Sequence, residues 1–165
     1  MDASHPHAQT APPRAGALLV LGLGNRLMTD DAAGPLATDR VAARPGVAVT
    51  DGGTCGLALL PEIEDAAAVI VVDAARLGRA PGTVTTLEGA AMDAALRGVK
   101  STAHEVALAD LMDAARVTGR LPDRRALVAV EPARVALGVE PTPSVAAALD
   151  PAAAAVEALI ARWSA

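Results

Sequence analysis

The sequence predicts an α/β fold: a three-layer α/β/α sandwich around a five-stranded sheet. Short unbroken apolar runs closed by turn residues recur along the chain, as strands buried on both faces require. Segments with helical caps and helical periodicity lie between them, and 165 residues suffice for one compact core. Hydrophobic residues make up 52% of the chain and aromatic ones 1%, so that core must be built from Ala, Val, Leu and Ile.

Residues 1 to 14, rich in Pro, Ala and polar residues, have little to bury and are expected to form a disordered tail ahead of a single domain over 15–165. His5 and His7 on that tail are expected to be solvated rather than metal-bound. The first strand is predicted at residues 17–22, followed by a helix starting near Thr29 to Asp31 and running through Leu36, Ala37 and Val41. Pro35 is compatible only with the first turn. Further strands are predicted at 47–50, 67–72 and 126–130, with a half-exposed edge strand at 83–87, where β-branched residues dominate. Thr102 and Glu105 have the spacing of a capping box, and Val106, Leu108, Leu111, Met112 and Ala115 trace one apolar face up to Gly119. Thr142 and Pro143 are the expected N-cap and first residue of an Ala-rich last helix ending near Trp163, which Pro151 should kink or split.

A net charge of −5 with no basic stripe argues against nucleic acid as a partner. The single Cys55 excludes an internal disulfide and a cysteine-built zinc cage, as suits a reducing cytosol. No secretory pattern opens the chain and no uninterrupted apolar run reaches the roughly 18 residues of a membrane span, so a cytoplasmic location without membrane contact is expected.

In such folds ligands sit beyond the carboxyl ends of the strands. Asp30 and Asp31, Asp51, Asp73 and His104 all fall where strands end or helices begin. Two carboxylates and one imidazole, from Asp31, Asp73 and His104, would suit zinc or nickel and leave a coordination position open. A helix N-terminus would favour both neutral His104 and ionised Asp31. Each residue has a plainer reading: Asp30 and Asp31 as helix caps, Asp73 bonded to loop amides, His104 facing water. The residues alone leave that choice open. Glycine after the first strand suggests a dinucleotide turn, but Leu27 stands where the third glycine would be, and two aspartates would repel a pyrophosphate. A Cys55 thiolate with His104 as base is a further alternative, although no basic neighbour in the loop would lower the thiol pKa.

Taken together, GLGNRLMTDDAAG, DGGTCG, VIVVDAAR followed by PGTV, and STAHEVALADLM resemble, in order and spacing, the endopeptidases that mature nickel-iron hydrogenases. The likeness runs from Ala17 to the final helix. It implies a mixed, mostly parallel five-stranded sheet with one antiparallel strand, at residues 83–88. It also implies metal ligation by Asp31, Asp73 and His104, with Asp31 one methylene shorter than the glutamate common at that place. Asp51 or Asp30 becomes a candidate for handling protons, and Gly52, Gly53 and Thr54 are implied to meet the substrate backbone. The implied reaction removes a C-terminal tail from the hydrogenase large-subunit precursor after nickel insertion. Nickel is then supplied by the substrate, with zinc or cadmium as ions able to take its place in vitro. A non-cleaving, nickel-dependent checkpoint or chaperone is the alternative from another function class.

Overall fold

A computed structural model describes residues 16–54, 56–98 and 103–165. The expected tail with His5 and His7, Cys55 and the capping residue Thr102 lie outside the described residues. Five strands form one sheet: β1 (Leu18–Leu23), β2 (Val47–Gly53), β3 (Ala68–Ala74), β4 (Val84–Glu88) and β5 (Arg124–Val130). Their order across the sheet is β2-β1-β3-β5-β4. Four strands run parallel, and β4 pairs antiparallel with β5 at the edge. The sheet is thus the mixed one expected, with its antiparallel member at the predicted place.

Alternation along the strands builds two cores. Val20, Ile70, Val72 and Val128 face one way, onto helices α1 (Ala33–Thr38) and α5 (Pro143–Trp163). Leu19, Leu21, Leu23, Val71 and Leu127 face the other, onto α2 (Leu60–Asp65), α3 (Ala90–Arg97) and α4 (Ala103–Val117). The central strands β1 and β3 are buried along their whole length, which explains why they read as unbroken apolar runs.

Three expectations need correction. The segment after β1 does not enter an α-helix directly: a 3-10 turn, Thr29–Ala32, precedes a helix of only six residues. Neither element has a side-chain cap, so Asp30 and Asp31 do not cap these two elements. Pro151 neither splits nor ends α5, which is continuous over 21 residues. Pro151 and Ala147, whose carbonyl loses its helical donor, both lie on the exposed side, while Ala148, Leu149, Ala152 and Ala153 anchor the helix on either side of the proline. Finally, α5 is long and apolar enough by composition to cross a membrane. Its alanines supply that character, and its buried face belongs to the α1/α5 core.

Candidate active site

The carboxyl edge of the sheet gathers the ends of β1, β2, β3 and β5 and the start of α4. Asp73, next to last in β3, follows the alternation of Val69 and Val71 and so points to the α2–α4 side. It is 1% exposed, and its Oδ1 has no hydrogen-bond partner among the described residues. Burial, then the charges of Asp31 and Glu105, push its pKa well up, against the Ala74 amide that donates to it. Such a group is expensive to keep, since an unsatisfied buried polar atom costs about 1–3 kcal/mol and more when charged. A divalent cation fits this donor set, because it would pair the orphan oxygen and relieve the repulsion from the neighbouring acids.

Asp31 is held in the 3-10 turn, 5% exposed, with Oδ2 accepting the Asn25 N–H at 2.8 Å. Gly24 makes this placement possible. Its φ is +134°, and a Cβ there would lie 1.8 Å from the Asp31 carbonyl oxygen, so only glycine lets the chain pass so close. His104 lies in the first turn of α4 at the same edge, and its side chain is outside the described part. Among the described residues no three Asp, Glu, His or Cys side chains close into a metal-holding group. The structure therefore brings Asp31 and Asp73 into electrostatic contact and places the His104 backbone at their edge of the sheet.

The two adjacent acids of the turn have different duties. Asp30 Oδ2 accepts the N–H groups of Ala133 and Arg134, each at 2.8 Å, and the Thr142 hydroxyl at 2.9 Å; Oδ1 accepts the Thr142 N–H at 2.6 Å. Burial raises its pKa, but these bonds outweigh it and hold the carboxyl below its usual range. A carboxylate so fully engaged is an anchor for the loop between β5 and α5, and a poor carrier of protons.

Asp51 stands elsewhere. In the β1–β2 register it is level with Gly22, on the face that carries α1, opposite to the side chain of Asp73. There it pairs with Arg26 at 2.8 Å and accepts the Gly53 N–H at 3.0 Å. Arg26 also grips Asp39 through two bonds, and the hydrogen bond to Asp39 is the main cause of its raised pKa. The structure does not bring Asp51, expected as an auxiliary acid, to the Asp31 and Asp73 carboxylates. At Gly52 a Cβ would fall 2.8 Å from the side chains of Leu21 and Leu23, so the missing side chain makes room for the core. Gly53 and Thr54 do line a narrow apolar hollow with Leu23, Leu59, Ala107 and Leu108, with room for about one water molecule. A second small hollow, edged by Ala75, Leu77, Leu96, Glu105 and Leu127, opens on the β5 side.

Sequence reasoning missed Glu105 and Glu131 as members of this edge. Glu105 was legible only as a capping partner, yet it follows His104 directly and its charge reaches Asp73. Glu131, 6% exposed, accepts the Leu77 N–H at 2.8 Å and so fixes the loop that follows β3.

A family model described as hydrogenase maturation protease, HycI, matches residues 37–159. The chain belongs to the hydrogenase maturation protease family. The Hydrogenase 2 maturation protease of Escherichia coli K12 is 35% identical over 140 residues, covering 82% of this chain and 85% of that protein. A Rhodobacter capsulatus protein named hydrogenase expression/formation protein HupD is 36% identical over 138 residues, 81% of this chain and 66% of the relative. The solved maturating endopeptidase HybD of E. coli superposes with a TM-score of 0.83 at 33% identity, covering 88% of this chain and 93% of that one. A [NiFe] hydrogenase maturation protease HybD from Thermococcus kodakarensis gives a TM-score of 0.70 at 27% identity, covering 87% and 98%. The chain is thus a maturation endopeptidase, a hydrolase, and its conspicuous buried acids lie at the edge where such a fold binds ligands.

Proposed function

We propose that this endopeptidase removes a C-terminal tail from the large-subunit precursor of a nickel-iron hydrogenase, in the cytoplasm, and that it reads nickel already held by that precursor. The observation that carries this reading is the buried, partnerless Oδ1 of Asp73 beside Asp31. Two buried acids held close together favour a cation between them, and a substrate that carries its own ion supplies one. Asp31, Asp73 and His104 are the residues assigned to hold that ion, with zinc or cadmium able to take its place in vitro. When present, the ion supplies positive charge that polarises a carbonyl oxygen.

The chain's own residues do the rest. Asp73 keeps an acceptor oxygen dry, where its electrostatic effect is greatest. Asn25 fixes the orientation of Asp31 through its amide. Cleavage near the end of the precursor follows if its tail lies across this edge.

The test is the mass of purified, nickel-loaded precursor after incubation with the protease. A shortened large subunit is expected with wild type and none with Asp31→Ala, Asp73→Ala or His104→Ala. Full processing by the variants would refute the assigned residues. An unshortened precursor with wild type would refute tail removal and leave a non-cleaving checkpoint. Loss of processing in Cys55→Ala would revive the thiol reading.

A further inference from the structure

Among the described residues, six of the seven exposed large apolar side chains stand at the carboxyl edge: Leu27, Leu57, Val106, Val135, Leu137 and Val139. The seventh, Val117, ends α4 at the opposite edge. Scattered exposed leucines mean little, but clustering around one edge marks a contact surface. Leu137 is 85% exposed, Val139 68% and Leu27 58%. These three are neighbours, because the Gly138 N–H donates to the Leu27 carbonyl at 2.9 Å and Met28 bridges Gly138.

This loop is fixed although it is exposed. The Thr29 N–H donates to the Gly138 carbonyl at 2.7 Å, and the Thr29 hydroxyl donates to the Arg134 carbonyl and accepts the Ala136 N–H. Asp30 holds Ala133, Arg134 and Thr142. Thr29 pays for this with φ at +42°, an unusual conformation for a β-branched residue that persists only when its surroundings impose it. The anchors immediately precede Asp31 in the chain, so the exposed loop and the active-site acid are parts of one hydrogen-bonded unit. An apolar surface held rigid before its partner arrives loses little conformational freedom on binding.

We propose that Leu27, Leu137 and Val139 form a preorganised platform on which an apolar surface of the folded large-subunit precursor docks beside the cleavage site. The proposal rests on the function given above. The occupant follows from position: a protein that delivers a peptide bond to Asp73 must lie over this edge. The rim it meets there carries these aliphatic side chains, and Asp31 and Asp73 are buried within. Recognition then belongs partly to the precursor's body, and a free tail alone is a poor substrate.

Steady-state processing of nickel-loaded precursor, followed by mass, tests this with Leu137→Asp/Val139→Asp, with Val117→Asp as control. The expected result is a KM raised at least tenfold with kcat retained in the double variant, and no change in the control. A urea unfolding midpoint checks the fold, and Leu137→Ser/Val139→Ser replaces the double variant if Asp disrupts it. An unchanged KM overturns the platform. So does sedimentation showing a wild-type dimer that the double variant dissolves while processing continues, since the patch then joins two copies of this chain. If wild type shortens no precursor, the cleavage reading fails. Sedimentation of precursor with wild type but not with the double variant would still uphold the platform.

Discussion

Replacing Asp30 by Ala tests the separation of the two adjacent acids. The substitution removes one carboxylate that accepts four hydrogen bonds, from three main-chain N–H groups and one hydroxyl. Each bond to a charged acceptor contributes about 1.5–3 kcal/mol, but the four share one group and are not additive. Water can reach part of the loop, because Ala133 and Arg134 are exposed. The expected loss is therefore about 3–5 kcal/mol, the range for breaking a buried charged network. For a domain of this size that lowers Tm by roughly 6–20 °C. Thr142→Val, which deletes only the hydroxyl bond, should cost about 1 kcal/mol. Urea unfolding followed by circular dichroism measures both. The pH dependence has a definite sign. The folded pKa of Asp30 lies below its unfolded value, so its stabilisation is complete above the unfolded pKa of about 3.9 and disappears as pH falls through the folded pKa. The gap between wild type and Asp30→Ala should be full at neutral pH and narrow in acid, where the protonated carboxyl keeps only neutral hydrogen bonds. A neutral-pH gap below about 1 kcal/mol, or one that does not narrow in acid, would refute the anchoring role.

Three further outcomes are expected. Asp73 has its folded pKa raised, mainly by burial, so its destabilising effect is absent below about pH 3.9 and complete above the folded pKa. Metal-free Asp73→Asn should match wild type in acid and exceed it at neutral pH, by about 1.4 kcal/mol for each unit of the shift; a difference independent of pH in urea melts would contradict this. Gly24→Ala should lose about 2–4 kcal/mol and most processing, because its Cβ displaces the Asp31 carbonyl; near-normal melting and processing would show that the turn yields. Asp51→Asn breaks a half-exposed ion pair, so a loss under about 1 kcal/mol with processing retained is expected; abolished processing in a folded variant would return Asp51 to the chemistry.

The strands were legible because burial on both faces leaves little choice of residue, as in β1 and β3. The short helix α3 was not legible. It begins after Gly89 at φ +50°, with no side-chain cap to announce it. The strand-end position of Asp73 was visible, whereas its missing partner was not, since satisfaction of a carboxylate depends on what the fold brings to it. The partners of Asp30 lie 103 to 112 residues away in sequence, beyond any local pattern. Asp51 and Gly52 show a different limit. Both follow the predicted strand 47–50, as a ligand-binding turn should, but β2 runs on through them to Gly53, and its alternation sends one to the α1 face and the other into the leucines.

Satisfaction of hydrogen bonds separates the two acids Asp30 and Asp73 better than position or burial does. Asp30 and Asp73 are both buried, lie at the ends of neighbouring elements and belong to motifs of the same family. Asp30 has every acceptor engaged by protein, which lowers its pKa and makes it stabilising at neutral pH. Asp73 has an oxygen with no donor and two acids near it, which raises its pKa and makes it destabilising. A protein gains nothing in stability from the second arrangement, and under the proposed function a cation carried by the substrate offsets its cost. Asp73→Asn should accordingly be more stable and inactive, and Asp30→Asn less stable, with any loss of processing following from the loop. If Asp73→Asn were both destabilised and active, the buried carboxylate would belong to the scaffold, and the cation-binding edge would have to be sought elsewhere.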